Sequence, residues 1–366
     1  MLPLFILIVA IGIILEAVSL RRDPSKVELE NHISSGVTEP GAPFELQATI
    51  TNKSRVPISY LMIREVYPPA AEIPDGMMFQ EKNDGLHVEN VCRIKSRQRK
   101  KLIFETSIKK RGVHMFKGSS MEFGDFLGFN EISKNVSIQK EIVVYPERIE
   151  YPSLNDALAN YCGDIAAKRY LIRDPILTIG CREYTGREPM KDIHWLQSAR
   201  RGELMVREFE YNRQLSVNVI LSVEGISSSD DEGLDACCAA ARTICERLLD
   251  KGVPVSFFTN ALLRNKGRQE IWKCDISLGH TGELLEGLGR VSYLACTSLD
   301  RLLEYAHREN DSDAAFIVIL LAGGEYEEKA INRLKSNTNQ EVLVVNISQF
   351  ADAKAQGCRE ETVARD

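Results

Sequence analysis

The sequence predicts a multidomain chain: an N-terminal transmembrane helix, an all-β Ig-like sandwich, and then an α/β doubly wound domain. Three observations predict this order. Residues 2–20 are almost continuously apolar, and residues 27–146 alternate apolar with polar at period two. From Ser216 onward, short β-branched runs alternate with stretches whose apolar residues recur every three or four positions. The implied organisation is an anchor over 1–20, a sandwich over 27–147, a linker over 148–215, the α/β domain over 216–350 and a tail over 351–366.

The first element reads LPLFILIVAIGIILEAVSL. About 20 helical residues cross the hydrocarbon core of a bilayer, and Glu16 falls near one end of the run. No Lys or Arg precedes it and no small-x-small cleavage site follows, which favours a retained anchor over a signal peptide. Arg21, Arg22 and Lys26 come next, so the positive-inside rule predicts a single-pass cell-membrane protein with its C-terminal domains in the cytoplasm. The 9 cysteines form no CxxC pair, which fits a reducing compartment.

The sandwich is announced by Phe44-Glu45-Leu46-Gln47-Ala48-Thr49-Ile50, where alternate residues face a core. Breaks such as Glu39-Pro40-Gly41 and Thr51-Asn52-Lys53 recur at strand-length intervals. A basic run, Arg93, Lys95, Arg97, Arg99, Lys100 and Lys101, reads as a solvated face, with anionic lipid headgroups as the sharper alternative.

In the third part, residues 217–223 form an apolar run of the kind buried in a parallel sheet. Leu234, Cys237, Cys238, Ala241, Ile244, Cys245, Leu248 and Leu249 then mark one face of a helix that Gly252 stops. Residues 253–259, 315–321 and 342–347 supply further strands, with helical patterns over 284–288, 299–307 and 327–334. Such alternation implies right-handed crossovers.

Composition narrows the function classes. A formal net charge of -6 and a pI near 5.7 argue against nucleic acid as a partner. There is no GxSxG elbow, Walker A loop, HExxH or dinucleotide fingerprint, and the 6 histidines are scattered, so no cofactor or metal is expected. Cys181 adjoins Arg182 but has no partner base, and Ala322-Gly323-Gly324 reads as a strand-to-helix turn.

The densest chemistry lies in residues 182–210, REYTGREPMKDIHWLQSARRGELMVREFE. The candidate residues are Arg182, Tyr184, Gly186, Asp192, Trp195, Ser198, Arg200, Arg207 and Glu208. Arginines here can pair with carboxylates such as Asp192 and Glu208, while Tyr184 and Trp195 offer flat faces for packing or for stacking a guanidinium. The cluster reads either as a lock between domains or as a recognition surface, because Trp, Tyr and Arg dominate binding energy.

This segment resembles the signature of the family called domain of unknown function 58. Arg182, Tyr184 and Gly186 fit its first part, Ile193 and Trp195 its second, Ser198, Ala199 and Arg200 its third, and Arg207 and Glu208 its last. Arg187 and His194 stand where the family carries Asp. Asp125-Phe126-Leu127-Gly128-Phe129 is similar to the family's Asp-Pro-Phe-Gly-Leu element without its proline. The resemblance implies that residues 216–350 are von Willebrand factor type A-like. Metal-binding type A domains place Asp-x-Ser-x-Ser after the first strand. Here the stretch is Ser222-Val223-Glu224-Gly225-Ile226, so Ser222 and Glu224 are degenerate positions of that metal loop. The resemblance also implies a bacterial-type, membrane-anchored, non-catalytic scaffold, an adaptor for a MoxR-type AAA+ ATPase. The alternatives are a hydrolase or transferase with a site near Arg182–Arg200 or Glu224, and a metal-dependent ligand-binding module.

Overall fold

The alternation over 44–50 becomes a strand whose members Phe44, Leu46, Ala48 and Ile50 are all buried. The computed structural model describes residues 6, 24–74, 76–124, 131–136, 139–150, 152–171, 178–186, 188–209, 216–277, 279–309, 314–338 and 342–349. The chain divides into two units. The first comprises Met1–Glu147 with Leu263–Lys266 and Leu285–Val291; the second comprises Arg148–Leu262, Gly267–Leu284 and Ser292–Asp366.

The first unit is built from β1 (Val27–Ile33), β2 (Val37–Thr38), β3 (Phe44–Asn52), β4 (Ile58–Tyr67), β5 (Met78–Lys82), β6 (Gly85–Ile94), β7 (Arg99–Thr106), β8 (Gly112–Gly124), β9 (Glu131–Val136) and β10 (Lys140–Val144). One sheet runs β1-β3-β7 and the other β2-β10-β8-β4-β6-β5, with β9 on β8. All pairs are antiparallel except β10 with β2. Because side chains alternate between faces, each sheet offers one apolar face to the interior. The core falls into two clusters, one around Leu29, Ile50, Leu61, Ile63 and Met121, the other around Phe44, Tyr67, Ile108, Phe116 and Ile142. Gly85 begins β6 at φ +140°, and a Cβ there would meet the Tyr67 carbonyl oxygen at 2.5 Å. The two later segments that belong to this unit are held by Arg290, which donates to Glu141 Oε1 at 2.7 Å and to the Arg264 carbonyl at 3.2 Å.

The second unit carries α1 (Pro152–Leu171), β11 (Thr178–Glu183), α2 (Trp195–Arg201), β12 (Met205–Phe209), β13 (Val217–Leu221), α3 (Asp231–Asp250), β14 (Val255–Thr259), β15 (Ala261–Leu263), β16 (Trp272–Ile276), α4 (Gly282–Arg290), β17 (Val291–Ala295), α5 (Leu299–Glu309), β18 (Ala315–Leu320), α6 (Glu325–Thr338) and β19 (Val342–Asn346), with β15, α4 and β17 shared with the first unit. Its main sheet runs β16-β14-β13-β18-β19. Four strands are parallel, while β16 is antiparallel to β14. Asp230 caps α3 by accepting the Gly233 amide at 2.9 Å, and acidic Asp231 and Glu232 complement the helix N-terminus. The face from Leu234 to Leu249 that the spacing marked is buried. So is Arg242, 1% exposed, whose Nε donates to Glu246 at 3.0 Å.

Two expectations are corrected here. Strand outweighs helix, 42% to 29%, and the chain is not the predicted series of membrane helix, sandwich and doubly wound type A-like domain. Part of the reason is local: Ala261–Leu263 and Trp272–Ile276 are short period-two stretches, buried at alternate residues, that read as loop among polar neighbours. They add an antiparallel edge to the main sheet and a separate β15-β17 pair. The second correction concerns the membrane. Among the described residues no helix is long and apolar enough to cross a bilayer. The two longest, α1 and α3, have 20 residues each, but α1 carries Asp156 and α3 carries Arg242 and Glu246. Apart from Ile6, residues 1–20 lie outside the described residues. The single-pass anchor, the membrane contact through it and the cell-membrane location with cytoplasmic domains are therefore not supported.

Candidate interaction surface

β11 and β12 pair antiparallel, placing Arg182 opposite Val206 and Cys181 opposite Arg207. Between them the chain turns at Gly186, φ +87°, passes through a 3-10 turn at Met190–Asp192, and touches β12 again where Ile193 bridges Val206. Helix α2 follows. Seven residues are too few to be helical alone, since isolated helices shorter than about 12 residues are marginal in water. Its stability comes from its ends and its buried side.

The His194 ring Nδ1 accepts the Gln197 amide at 3.3 Å, an N-cap made by a residue outside the usual capping set. Gly202 closes the other end at φ 77°, its amide donating to the Ser198 carbonyl at 2.9 Å. Ser198 fastens the helix to β12: its buried hydroxyl accepts the Met205 amide at 2.8 Å and donates to the His194 carbonyl at 3.0 Å. The His194 amide donates to the Met205 carbonyl at 2.8 Å. Ile193, Met205 and Val206 lie beneath, each 2% exposed.

A helix pinned this firmly presents a defined outer face. Trp195 is 61% exposed and its neighbour Leu196 62%, and Met190 and Leu204 in the same hairpin are exposed as well. Lys191, Arg200, Arg201 and Arg207 are exposed in the same segment. Large apolar side chains set among basic ones are the composition of a binding patch rather than of a solvated helix.

Among the described residues Arg182 pairs with Glu188, at 2.7 Å. The Glu188 side chain is only 7% exposed and also accepts the Thr185 hydroxyl at 2.7 Å and the Thr185 amide at 3.0 Å. The Thr185 hydroxyl foremost, with the Arg182 guanidinium and the Thr185 amide, holds this carboxyl down to about 2. Thr185-Gly186-Arg187-Glu188 has Thr-x-x-Glu spacing, in which the Glu carboxylate can reach back to the Thr backbone amide, as it does here. Tyr184 is half-buried and donates its amide to the Leu204 carbonyl at 2.9 Å; Asp192 is half-buried with its amide on the Pro189 carbonyl. Arg200 and Arg207 form no ion pair among the described residues. The Glu208 side chain and Arg187 lie outside the described residues.

The structure puts Ser222 and Glu224 to other work. The Ser222 side chain, 1% exposed, accepts from the Asn260 amide nitrogen and from the Glu224 backbone amide, both at 3.3 Å. Asn260, fully buried, in turn accepts the Val223 amide at 3.0 Å and donates to the Thr297 carbonyl at 2.9 Å. Glu224 reaches across to α5, where its Oε2 accepts the Leu299 amide at 2.8 Å. The carboxylate is a helix cap.

No family model and no curated protein matches the chain. Solved structures do. A cohesin module from a Clostridium perfringens family 33 glycoside hydrolase is 13% identical, with 32% of this chain and 96% of that one covered and a TM-score of 0.25. A non-cellulosomal cohesin from Archaeoglobus fulgidus is 14% identical over 36% of this chain and 96% of that one, TM-score 0.23. The CARDB domain of a Pyrococcus furiosus protein, in complex with di-metal ions, is 12% identical over 32% and 90%, TM-score 0.21. At these TM-scores the likeness carries no argument about function.

Proposed function

We propose that this chain is a non-catalytic interaction protein that holds a protein partner on the outer face of α2. The observation that carries the reading is the adjacent exposure of Trp195 and Leu196 on a helix that His194, Ser198 and Gly202 fix in place. A rigid aromatic anchor loses little entropy on binding, and exposed Arg200 and Arg201 favour an acidic surface opposite. The finer form, an adaptor for a MoxR-type AAA+ ATPase, rests on the resemblance of residues 182–208 to the domain of unknown function 58 signature.

The test is direct binding of the purified full chain to a purified MoxR-type AAA+ ATPase, by calorimetry, comparing wild type with Trp195→Ala/Leu196→Ala. The double variant retains its fold, because neither side chain is buried. Binding weakened roughly 30-fold or more, as loss of a hot-spot residue produces, supports the surface. Equal affinity removes this surface from the reading, and no binding by wild type removes the ATPase.

A further inference from the structure

The period-two pattern of the sandwich contains an anomaly on two strands. Along β4 the inward positions run Leu61, Ile63, Glu65, Tyr67, and along β1 they run Val27, Leu29, Asn31. A carboxyl and an amide thus stand where the alternation calls for apolar side chains. Ser119 of β8, 5% exposed, meets them. Asn31 Nδ2 donates to Glu65 Oε1 at 2.5 Å and to Ser119 Oγ at 2.8 Å, and the Ser119 hydroxyl donates to Glu65 Oε1 at 3.4 Å. These residues lie between the two apolar clusters of the core.

A cavity of about 30 Å³ adjoins this layer, lined by Asn31, Glu65, Tyr67 and Ser119 together with apolar Leu46 and Phe116. Tyr67 is 1% exposed and its hydroxyl stands beside the Glu65 carboxyl, while Asn31 Oδ1 has no hydrogen-bond partner among the described residues. A polar cavity of that size has room for one water molecule. Among the described residues no cation pairs with the carboxyl. His32 of β1, Lys117 of β8 and Lys140 of β10 line the rim with exposed residues, and Gln47 of β3 is neutral. Arg64, next to Glu65, is engaged by Glu89 and Glu122. No ion pair reaches Glu65 among the described residues. A carboxylate taken out of water without a cation is strongly disfavoured against its neutral form.

We propose that this layer is a proton-binding site, in which burial away from any cation holds Glu65 as a neutral acid and its ionisation loosens the sandwich. Burial pushes the Glu65 carboxyl above its ordinary range, and the bonds from Asn31, Ser119 and Tyr67 offset this only in part. Burial also raises the Tyr67 phenol, with the Glu65 charge and the hydrogen bond to Glu65 adding to the effect. The folded state therefore binds this proton more tightly than the unfolded chain. Its contribution to stability is complete below the ordinary carboxyl value and is lost as pH rises through the higher folded value.

The test is thermal unfolding of the full chain between pH 4.5 and 8.5 for wild type and Glu65→Gln, with hydrogen exchange in β4 and β8 identifying the transition of the sandwich. The wild-type midpoint is expected to fall by several degrees more than that of Glu65→Gln as pH rises, and Glu65→Gln to melt above wild type at pH 8.5. Parallel slopes, or a Gln variant that melts lower at pH 8.5, would overturn the proposal. So would a Gln variant that fails to fold, because Gln is the neutral isostere. A carboxyl carbon-13 titration of wild type reads the proton directly, and a Glu65 signal titrating at the ordinary carboxyl value would overturn it independently.

Discussion

Replacing Glu224 with Ala separates the helix-cap role of this residue from any part in chemistry. Its Oε2 accepts the amide of Leu299, the first residue of α5, at 2.8 Å. Loss of a capping acceptor costs about 1 kcal/mol, and loss of a negative charge at a helix N-terminus about 0.3–1 kcal/mol. Glu224 is half-buried, so neither contribution is fully screened. Together they place Glu224→Ala about 1–2 kcal/mol below wild type, or a fall in Tm of several degrees for a unit of this size. Glu224→Gln retains an acceptor and loses only the charge, so it should fall about 0.5 kcal/mol. Thermal unfolding gives the totals, and hydrogen exchange at the first-turn amides of α5 gives the location. An Ala variant with wild-type Tm and wild-type exchange at Leu299 would refute the cap.

Two further substitutions probe the first unit. Arg290→Met leaves Glu141 and Glu286 without their guanidinium; both carboxylates are about one-third exposed and partly screened, so the loss should be about 1–2 kcal/mol in urea unfolding at neutral pH. The Arg290 hydrogen bond foremost holds Glu141 below the usual carboxylate range, so the stability it adds is present above the ordinary carboxyl value and lost as pH falls through the lower folded value; the Met variant should lose that part of the acid sensitivity. Gly85→Ala should be destabilising by about 2 kcal/mol or more in thermal melts, because φ is +140° and the new Cβ would meet Tyr67 backbone oxygen at 2.5 Å. Gly36→Ala, with nothing within 4 Å, is its neutral control.

What could be read in advance depended on how many residues repeat one physical rule. The run from Phe44 to Ile50 and the stripe from Leu234 to Leu249 each repeat a burial periodicity over several positions, so strand and helix followed from local chemistry. The stretch from Ala261 to Ile276 repeats nothing for long enough: two strands of three and five residues are separated by charged and turn-forming residues, and their pairing is set by neighbours distant in sequence. The N-terminal apolar run illustrates a different limit. Hydropathy states that a segment is long enough to span a bilayer, but not that it does.

The candidate site was legible in its composition and not in its bonding, and the difference has a physical cause. Trp195, Ser198, Arg182 and Gly186 were visible because Trp, Ser, Arg and Gly have distinctive chemistry, whereas choosing among Asp192, Glu208 and Glu188 for Arg182 requires the path of the backbone. Glu188 wins because Gly186, at φ +87°, folds the turn so that one carboxylate takes the Thr185 hydroxyl, the Thr185 amide and the guanidinium together. Each of those donors alone would be a weak surface contact. Ser198 shows the converse. A serine inside a helix is usually a mild liability, but here its hydroxyl is the link that holds α2 on β12 and leaves Trp195 facing outward. The same buried bond that stabilises the hairpin therefore defines the surface it presents, so under the proposed function Ser198→Ala should weaken binding through orientation although Ser198 is buried.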